Sequence, residues 1–301
     1  MAGLCEGRVV IVTGAGRGLG RAHALAFARE GARVVVNDLG VASDGSGGDR
    51  TPSQEVVEEI RAGGGQAVVD ASDVADFEQA GRLVAAAVDA FGRLDVVVNN
   101  AGFVRDRMFV SCSEEEWDAV VRVHLRGHYC VSRRACDHWR AESKAGRAVD
   151  ARILNTSSGA GLQGSVGQSA YAAAKAGIAA LTLVQAVELG RYGITANAIA
   201  PSARTRMTEG PFAEMMRKPE HGFDAMDPAN VSPLVVWLGS AESRAVTGQV
   251  FEVAGGSIAV ADGWRTGPRV DKGARFAPDE VGAVVRDLLA KAVPAQKVYG
   301  S

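Results

Sequence analysis

The chain has 301 residues, 47% of them hydrophobic, with a formal net charge of −2 and a pI near 6.2. That length accommodates one sizeable core in a single domain, and the near-neutral balance supplies no basic field for nucleic acid or an anionic membrane surface. Cys5, Cys112, Cys130 and Cys136 form no C-x-x-C pair and no metal-type cluster, and the N-terminus shows no leader pattern before its first apolar run, so the expectation is a soluble cytoplasmic protein with reduced thiols, no metal and no membrane partner.

The first apolar run, RVVIVTG at 8–14, reads as a strand that leads into TGAGRGLG and a helical pattern over 18–30. Strand, glycine turn and helix N-terminus make a phosphate site: Gly14, Gly16, Gly18 and Gly20 let backbone amides approach a pyrophosphate, and the helix dipole favours its charge. The second strand, ARVVVND at 32–38, ends on Asp38, eighteen residues after Gly20. A carboxylate there reaches an adenosine ribose, accepting hydrogen bonds from the free hydroxyls of NAD and repelling the extra phosphate of NADP. Read without that partner, Asp38 only starts a turn. Arg17 either faces a 2′-phosphate or is a solvated surface arginine; the carboxylate, acting at the ribose itself, decides for NAD.

A polar, Gly-rich insertion follows at 39–54, and then helix 53–62, strand 66–74 with its ASDV ending, helix 76–91, strand 94–100 with NNAG at 99–102, and a long helix over 114–142. The fifth strand, 151–157, precedes Ser158, and the helix at 169–191 carries Tyr171 and Lys175. A four-residue spacing places those two side chains on one face, one turn apart, where an ammonium favours the phenolate of a tyrosine that otherwise titrates near ~10. Ser158, thirteen residues earlier, ends a strand where its hydroxyl helps hold a carbonyl oxygen. Taken alone, a Tyr and Lys so spaced are an exposed helix pair.

A sixth strand, 194–200, leads into 203–226, read either as an active-site lid or as a surface helix pair, and a seventh strand spans 248–256. In the extension at 257–301, Val281, Val284, Val285, Leu288 and Leu289 line one face of a helix begun by Pro278, packed on the body or on a neighbouring subunit. Alternation of strand and helix predicts a Rossmann-type doubly wound α/β fold: a seven-stranded parallel sheet with helices on both faces.

TGAGRGLG, Asp38, Asp73, NNAG, Ser158 and YAAAK at 171–175, in this order, resemble the short-chain dehydrogenase/reductase family over about residues 7–256. VVVNDLG, EVVEEI, VHLRGH, APSARTRMTE and FEVAGGSIAVADGWR are most similar to the D-3-hydroxyacyl-CoA dehydrogenase portion of peroxisomal multifunctional enzymes and their bacterial relatives. The resemblance implies Ser158, Tyr171 and Lys175 as catalytic residues, and a cofactor held by Gly14, Arg17, Gly18, Leu19, Gly20, Asp38, Asp73, Val74, Asn100, Ala101, Gly102, Tyr171, Lys175 and Thr205. His124 stands where the family has an asparagine that helps hold a relay water, so it is either a relay member or a packed helix histidine. Thr205 lies in a stretch that replaces the family's Pro-Gly.

The resemblance also implies a stand-alone dehydrogenase, since a hydratase module has no room here, and a homotetramer or homodimer paired through helices 114–142 and 169–191. The expected substrate is a secondary alcohol or ketone, first a 3-hydroxyacyl thioester and second a steroid or other hydrophobic alcohol. Arg204, Arg206, Arg217 and Lys218 either meet coenzyme A phosphates or are solvated. Rivals are a non-catalytic NAD(H)-binding redox sensor and a structural subunit of a larger assembly.

Overall fold

The computed structural model describes residues 2–40, 51–208, 213, 214 and 216–301. Most of the expected polar insertion at 39–54, and residues 209–212 and 215 of the expected lid, lie outside the described residues.

Short apolar runs form parallel strands. These are β1 (Val9–Thr13), β2 (Arg33–Asn37), β3 (Gln66–Asp70), β4 (Val96–Asn99), β5 (Ala151–Thr156), β6 (Ile194–Ser202) and β7 (Val250–Ala254), in the order β3-β2-β1-β4-β5-β6-β7. Between them run α1 (Gly18–Arg29), α2 (Thr51–Ala62), α3 (Phe77–Phe91), α4 (Glu114–Val121), α5 (Gly127–Lys144), α6 (Gly159–Gln163), α7 (Ser169–Leu189) and α8 (Ser232–Gly239). The β1, β4 and β5 strands are fully buried, while β3 and β7 are partly exposed. Successive side chains of a strand point to opposite faces, so the sheet carries two cores. Val10 and Val12 pack with Phe27, Ile60 and Leu238 on one side; Val9 and Ile11 pack with Leu83 and Trp139 on the other.

The chain works outward from β1 to β3 and then returns to the other side of β1 as β4. At that reversal the loops leaving β1 and β4 diverge, which opens a crevice beyond the strand ends where ligands of this architecture bind.

Three features correct the sequence expectations. The sheet has an eighth strand, β8 (Ser257–Val260), antiparallel to β7 across the Gly255–Gly256 turn, with all four residues exposed; a strand that short, with no buried face, leaves no alternation to read. The single helix expected over 114–142 is instead α4, a π-helical turn over Arg122–Arg126, and α5. The wider turn comes at His124, which is buried. Among the described residues of 203–226 there is no helix.

The extension forms α9 (Pro278–Lys291), with proline in its first turn as expected and none of its residues buried. On its apolar face Val284 and Leu288 are half-buried, while Val281, Val285 and Leu289 are exposed. α7 and the turn that follows it, Ser169–Tyr192, are long and apolar enough to cross a membrane, but here they cover the sheet and bury Lys175.

Candidate active site

A cleft of about 480 Å³ lies at the β1/β4 crevice. Gly14 lines it with φ near +62°, a conformation that suits glycine, and a Cβ there would come within 2.8 Å of the Ala101 Cα. Gly18 and Leu19 also line the cleft, whereas Gly20 sits behind it: a Cβ on Gly20 would lie 2.1 Å from the Gly14 carbonyl oxygen. The expected direct contact from Gly20 is thus a packing role, letting α1 approach the turn. Arg17 holds the N-cap of α1 without a side-chain cap, so the first N–H groups of the helix keep their capacity to bind an anion.

Asp38 lines the same cleft, but its carboxylate already has partners. One oxygen accepts from Gly16 N–H at 2.8 Å and the other from Gly40 N–H at 2.6 Å. These bonds fix the negative charge at the end of β2 and leave each oxygen further lone pairs for a ribose. Asp73 and Val74 border the cleft too, with Asp73 paired to Arg122 at 2.6 Å. Asn100, Ala101 and Gly102 line it from the end of β4.

Thr13, which the sequence reading passed over, ties that segment to β1. Its hydroxyl accepts from Asn100 N–H at 2.9 Å and Ala101 N–H at 3.1 Å, while the Asn100 side chain donates to the Thr13 carbonyl at 3.0 Å. Its position as the last residue of β1, before the glycine turn, was the available signal. Thr205 lines the opposite wall, with its methyl 3.4 Å from the position of a Cβ on Gly18. Glycine cradle, helix N-terminus and anchored carboxylate together fit a dinucleotide.

Along the wall formed by α7, Tyr171 and Lys175 face the cleft one turn apart, with the Lys175 Nζ 5.4 Å from the centre of the Tyr171 ring. The small residues around them have a structural reason. A Cβ on Gly161 would lie 2.6 Å from the backbone of Lys175, so glycine lets α6 pack directly on α7. Thr156 and Ser157 also line the cleft; Lys175 Nζ donates to the Thr156 carbonyl at 2.6 Å, and the Ser157 hydroxyl donates to the Lys175 carbonyl at 2.8 Å. Ser158 follows, half-buried, as the N-cap of α6: its hydroxyl accepts from Ala160 N–H at 3.2 Å and lies near the Tyr171 phenol.

Burial pushes the Tyr171 phenol up to about 12, against a lowering pull from the Ser158 hydroxyl, and pushes Lys175 down to about 7. The sequence reading expected a phenol tuned downward. The protein surroundings do the reverse because desolvation of the phenolate outweighs the pull of the nearby Ser158 hydroxyl.

His124 is held by Phe103. Its Nε2 lies 2.7 Å from the Phe103 carbonyl oxygen and 3.2 Å from the Phe103 nitrogen; the shorter contact assigns the proton to Nε2, donating to the carbonyl. Nδ1 is then a buried lone pair with no hydrogen-bond partner among the described residues, on a ring set edge-on 5.1 Å from Tyr171. Burial holds His124 near 3, with the Lys175 charge acting in the same direction, and burial holds His23 near 3 as well.

Both histidines protonate near 6.5 once unfolded, so the unfolded state takes up protons first as pH falls and stability is lost below that point. Each should cost about 2 kcal/mol by about pH 5. Denaturant titrations of His124→Gln across that range should give a shallower slope than the unmutated chain; an equal slope would mean His124 titrates normally.

Arg204 is not available to a coenzyme A phosphate. It forms a salt bridge with Asp224, donates to the Met216 carbonyl at 3.0 Å, and its own N–H donates to the Met226 carbonyl at 2.7 Å. It braces the connection after β6. Arg206 lines the cleft, while Arg217 and Lys218 are exposed.

Residues 8–215 match the family model described as short chain dehydrogenase. The chain belongs to that family. A crystal structure of a short chain dehydrogenase from Mycobacterium avium superposes with a TM-score of 0.90 at 65% identity, covering 99% of this chain and 100% of that one. Hydroxyacyl-CoA dehydrogenase ChsB1 of Mycobacterium tuberculosis (strain ATCC 25618 / H37Rv) is 46% identical over 97% of this chain and 91% of its own length. Peroxisomal multifunctional enzyme type 2 of Mus musculus is 48% identical over 84% of this chain, which spans only 32% of that protein. As a short-chain dehydrogenase, the chain is an oxidoreductase acting on a CH–OH group with a nicotinamide cofactor.

Proposed function

We propose that this short-chain dehydrogenase uses NAD to interconvert the 3-hydroxy and 3-keto forms of an acyl-CoA thioester. The observation that carries the reading is one cleft bounded by the glycine turn, the anchored Asp38 carboxylate and the Tyr171–Lys175 pair beside Ser158. The name of the Mycobacterium tuberculosis relative, a hydroxyacyl-CoA dehydrogenase, supports the choice of thioester.

A bound nicotinamide supplies the hydride acceptor or donor. Ser158 donates a hydrogen bond to the substrate oxygen, and Tyr171 exchanges the proton at that oxygen. Lys175 holds the nicotinamide ribose and, when charged, lowers the cost of the Tyr171 phenolate. The unpartnered Nδ1 of His124 accepts from a relay water beside Lys175.

Turnover of a panel of 3-hydroxyacyl-CoA thioesters, hydroxysteroids and simple secondary alcohols with NAD tests the assignment. Thioesters should be turned over most efficiently. Preference for a hydroxysteroid would move the substrate class, and tight NADH binding with no turnover of any of them would favour a redox sensor.

We also propose that the protein acts in a reducing cytoplasm as a homodimer or homotetramer. The outer faces of α5 and α7 support this: they leave Tyr129, Leu183, Val184 and Val187 exposed around a groove of about 620 Å³. Light scattering at micromolar concentration should give a multiple of 31.2 kDa; a monomer overturns this pairing.

A further inference from the structure

The segment after α9 returns to the body along Gly159 and residues 164–166, just after Ser158. Val166 N–H donates to the Tyr299 carbonyl at 2.9 Å, and Tyr299 N–H donates to the Gly164 carbonyl at 3.2 Å, giving a parallel bridge between Ser165 and Tyr299. The side chains follow the backbone. A Cβ on Gly164 would touch both Val298 methyls at 3.4 Å, and a Cβ on Gly159 would fall 2.7 Å from the Tyr299 hydroxyl oxygen and 2.9 Å from its ring. The phenol end of Tyr299 therefore rests on the residue that follows Ser158.

The loop between α6 and α7, residues 164–168, needs such support. Gly164 and Gly167 leave it few side chains with which to fix itself. On its other side it is held by Arg107 N–H donating to the Gly167 carbonyl at 2.7 Å and by the Gln168 side chain donating to Asp106 at 3.0 Å. Tyr299 supplies the second hold. Val166 on this loop, and Val298 and Tyr299 docked against it, are 46%, 40% and 44% exposed, an apolar patch outside the lining of the nucleotide cleft.

We propose that Val298–Gly300 is a built part of the substrate pocket, with Tyr299 as a positioning residue for the Ser158 loop and its ring as a wall for the apolar chain of the substrate. This rests on Ser158 and Tyr171 being the pair that handles the substrate oxygen. Its consequence is selectivity by chain length. A short acyl group ends before the patch, whereas a long one lies along it and gains from burial there.

Two measurements separate this proposal from the reading it rests on. In hydrogen exchange, deleting residues 297–301 should speed exchange of the Val166 amide by about tenfold or more, because its acceptor is gone. That result requires no activity. In kinetics with 3-hydroxyhexadecanoyl-CoA and 3-hydroxybutyryl-CoA, Tyr299→Ala should lower the long-to-short ratio of kcat/KM by about tenfold, chiefly through KM for the long substrate, while Tyr299→Phe keeps the ratio within about twofold.

An unchanged Val166 amide in the deletion overturns the docking, and an unchanged ratio in Tyr299→Ala overturns the selectivity role. If the unmutated protein turns over neither thioester, the thioester assignment fails, and the exchange result still decides whether Tyr299 holds the loop.

Discussion

Tyr171→Phe should lower turnover by about 10²–10⁴ while leaving the fold and NADH affinity nearly unchanged. The substitution keeps the ring against His124 and over Lys175 and removes only the hydroxyl near Ser158. Lys175→Met should behave differently, because its Nζ is bound to the Thr156 carbonyl within the nucleotide cleft and is proposed to serve the ribose as well as the phenol. It should weaken NADH binding together with turnover. The two pKa directions add a pH test. With Tyr171 pushed up to about 12, its neutral form, the proton donor for ketone reduction, persists through the neutral range. Reduction at saturating cofactor should therefore keep its proton donor as pH rises from about 7 to about 9. Any fall there should track loss of the charge on Lys175, pushed down to about 7, while oxidation, which needs the phenolate, should climb. More than about a tenth of normal activity in Tyr171→Phe would make Tyr171 an ordinary wall residue and sink the acid–base assignment.

The parts of the site legible in the sequence are those fixed by local geometry. Glycines after a strand, a carboxylate ending the next strand and a Tyr-Lys pair at helical spacing each follow from one element and its neighbour. Their convergence follows from the reversal of strand order between β1 and β4, which the alternation of strands and helices already implied. What escaped the reading depends on contacts distant in sequence. The helix pattern over 114–142 continues through the π turn, because widening one turn leaves the apolar spacing on either side nearly intact. The direction of the Tyr171 shift depends on how much protein encloses the phenol, which spacing does not record. Arg204 read as an available cation until its partner Asp224, twenty residues away, came beside it. Tyr299 lies 128 positions after Tyr171 on a segment with no periodic pattern, so nothing in the sequence connects it with the Ser158 loop.

Cofactor choice should follow Asp38, and the structure sharpens the variant that tests it. Both carboxylate oxygens accept backbone N–H groups, from Gly16 and Gly40, so the charge is held at the end of β2 and does not swing aside for a 2′-phosphate. A fixed, partly buried charge at the ribose should favour NAD over NADP by about 2–4 kcal/mol, roughly 30- to 800-fold in kcat/KM. Arg17, on the same cleft, pulls the other way from the α1 N-cap, where solvent screens it more. Asp38→Ala removes the repulsion and also two acceptors, one holding the glycine turn at Gly16 and one holding Gly40 after β2. It should erode the preference chiefly by weakening NAD, with NADP efficiency staying well below the original NAD value. Asp38→Asn keeps one acceptor oxygen and the side-chain volume while deleting the charge, so it should relax the preference with a smaller loss of NAD binding. Equal efficiency with NAD and NADP in the unmutated protein would show that the Asp38 carboxylate braces the turn and plays no part in choosing the cofactor.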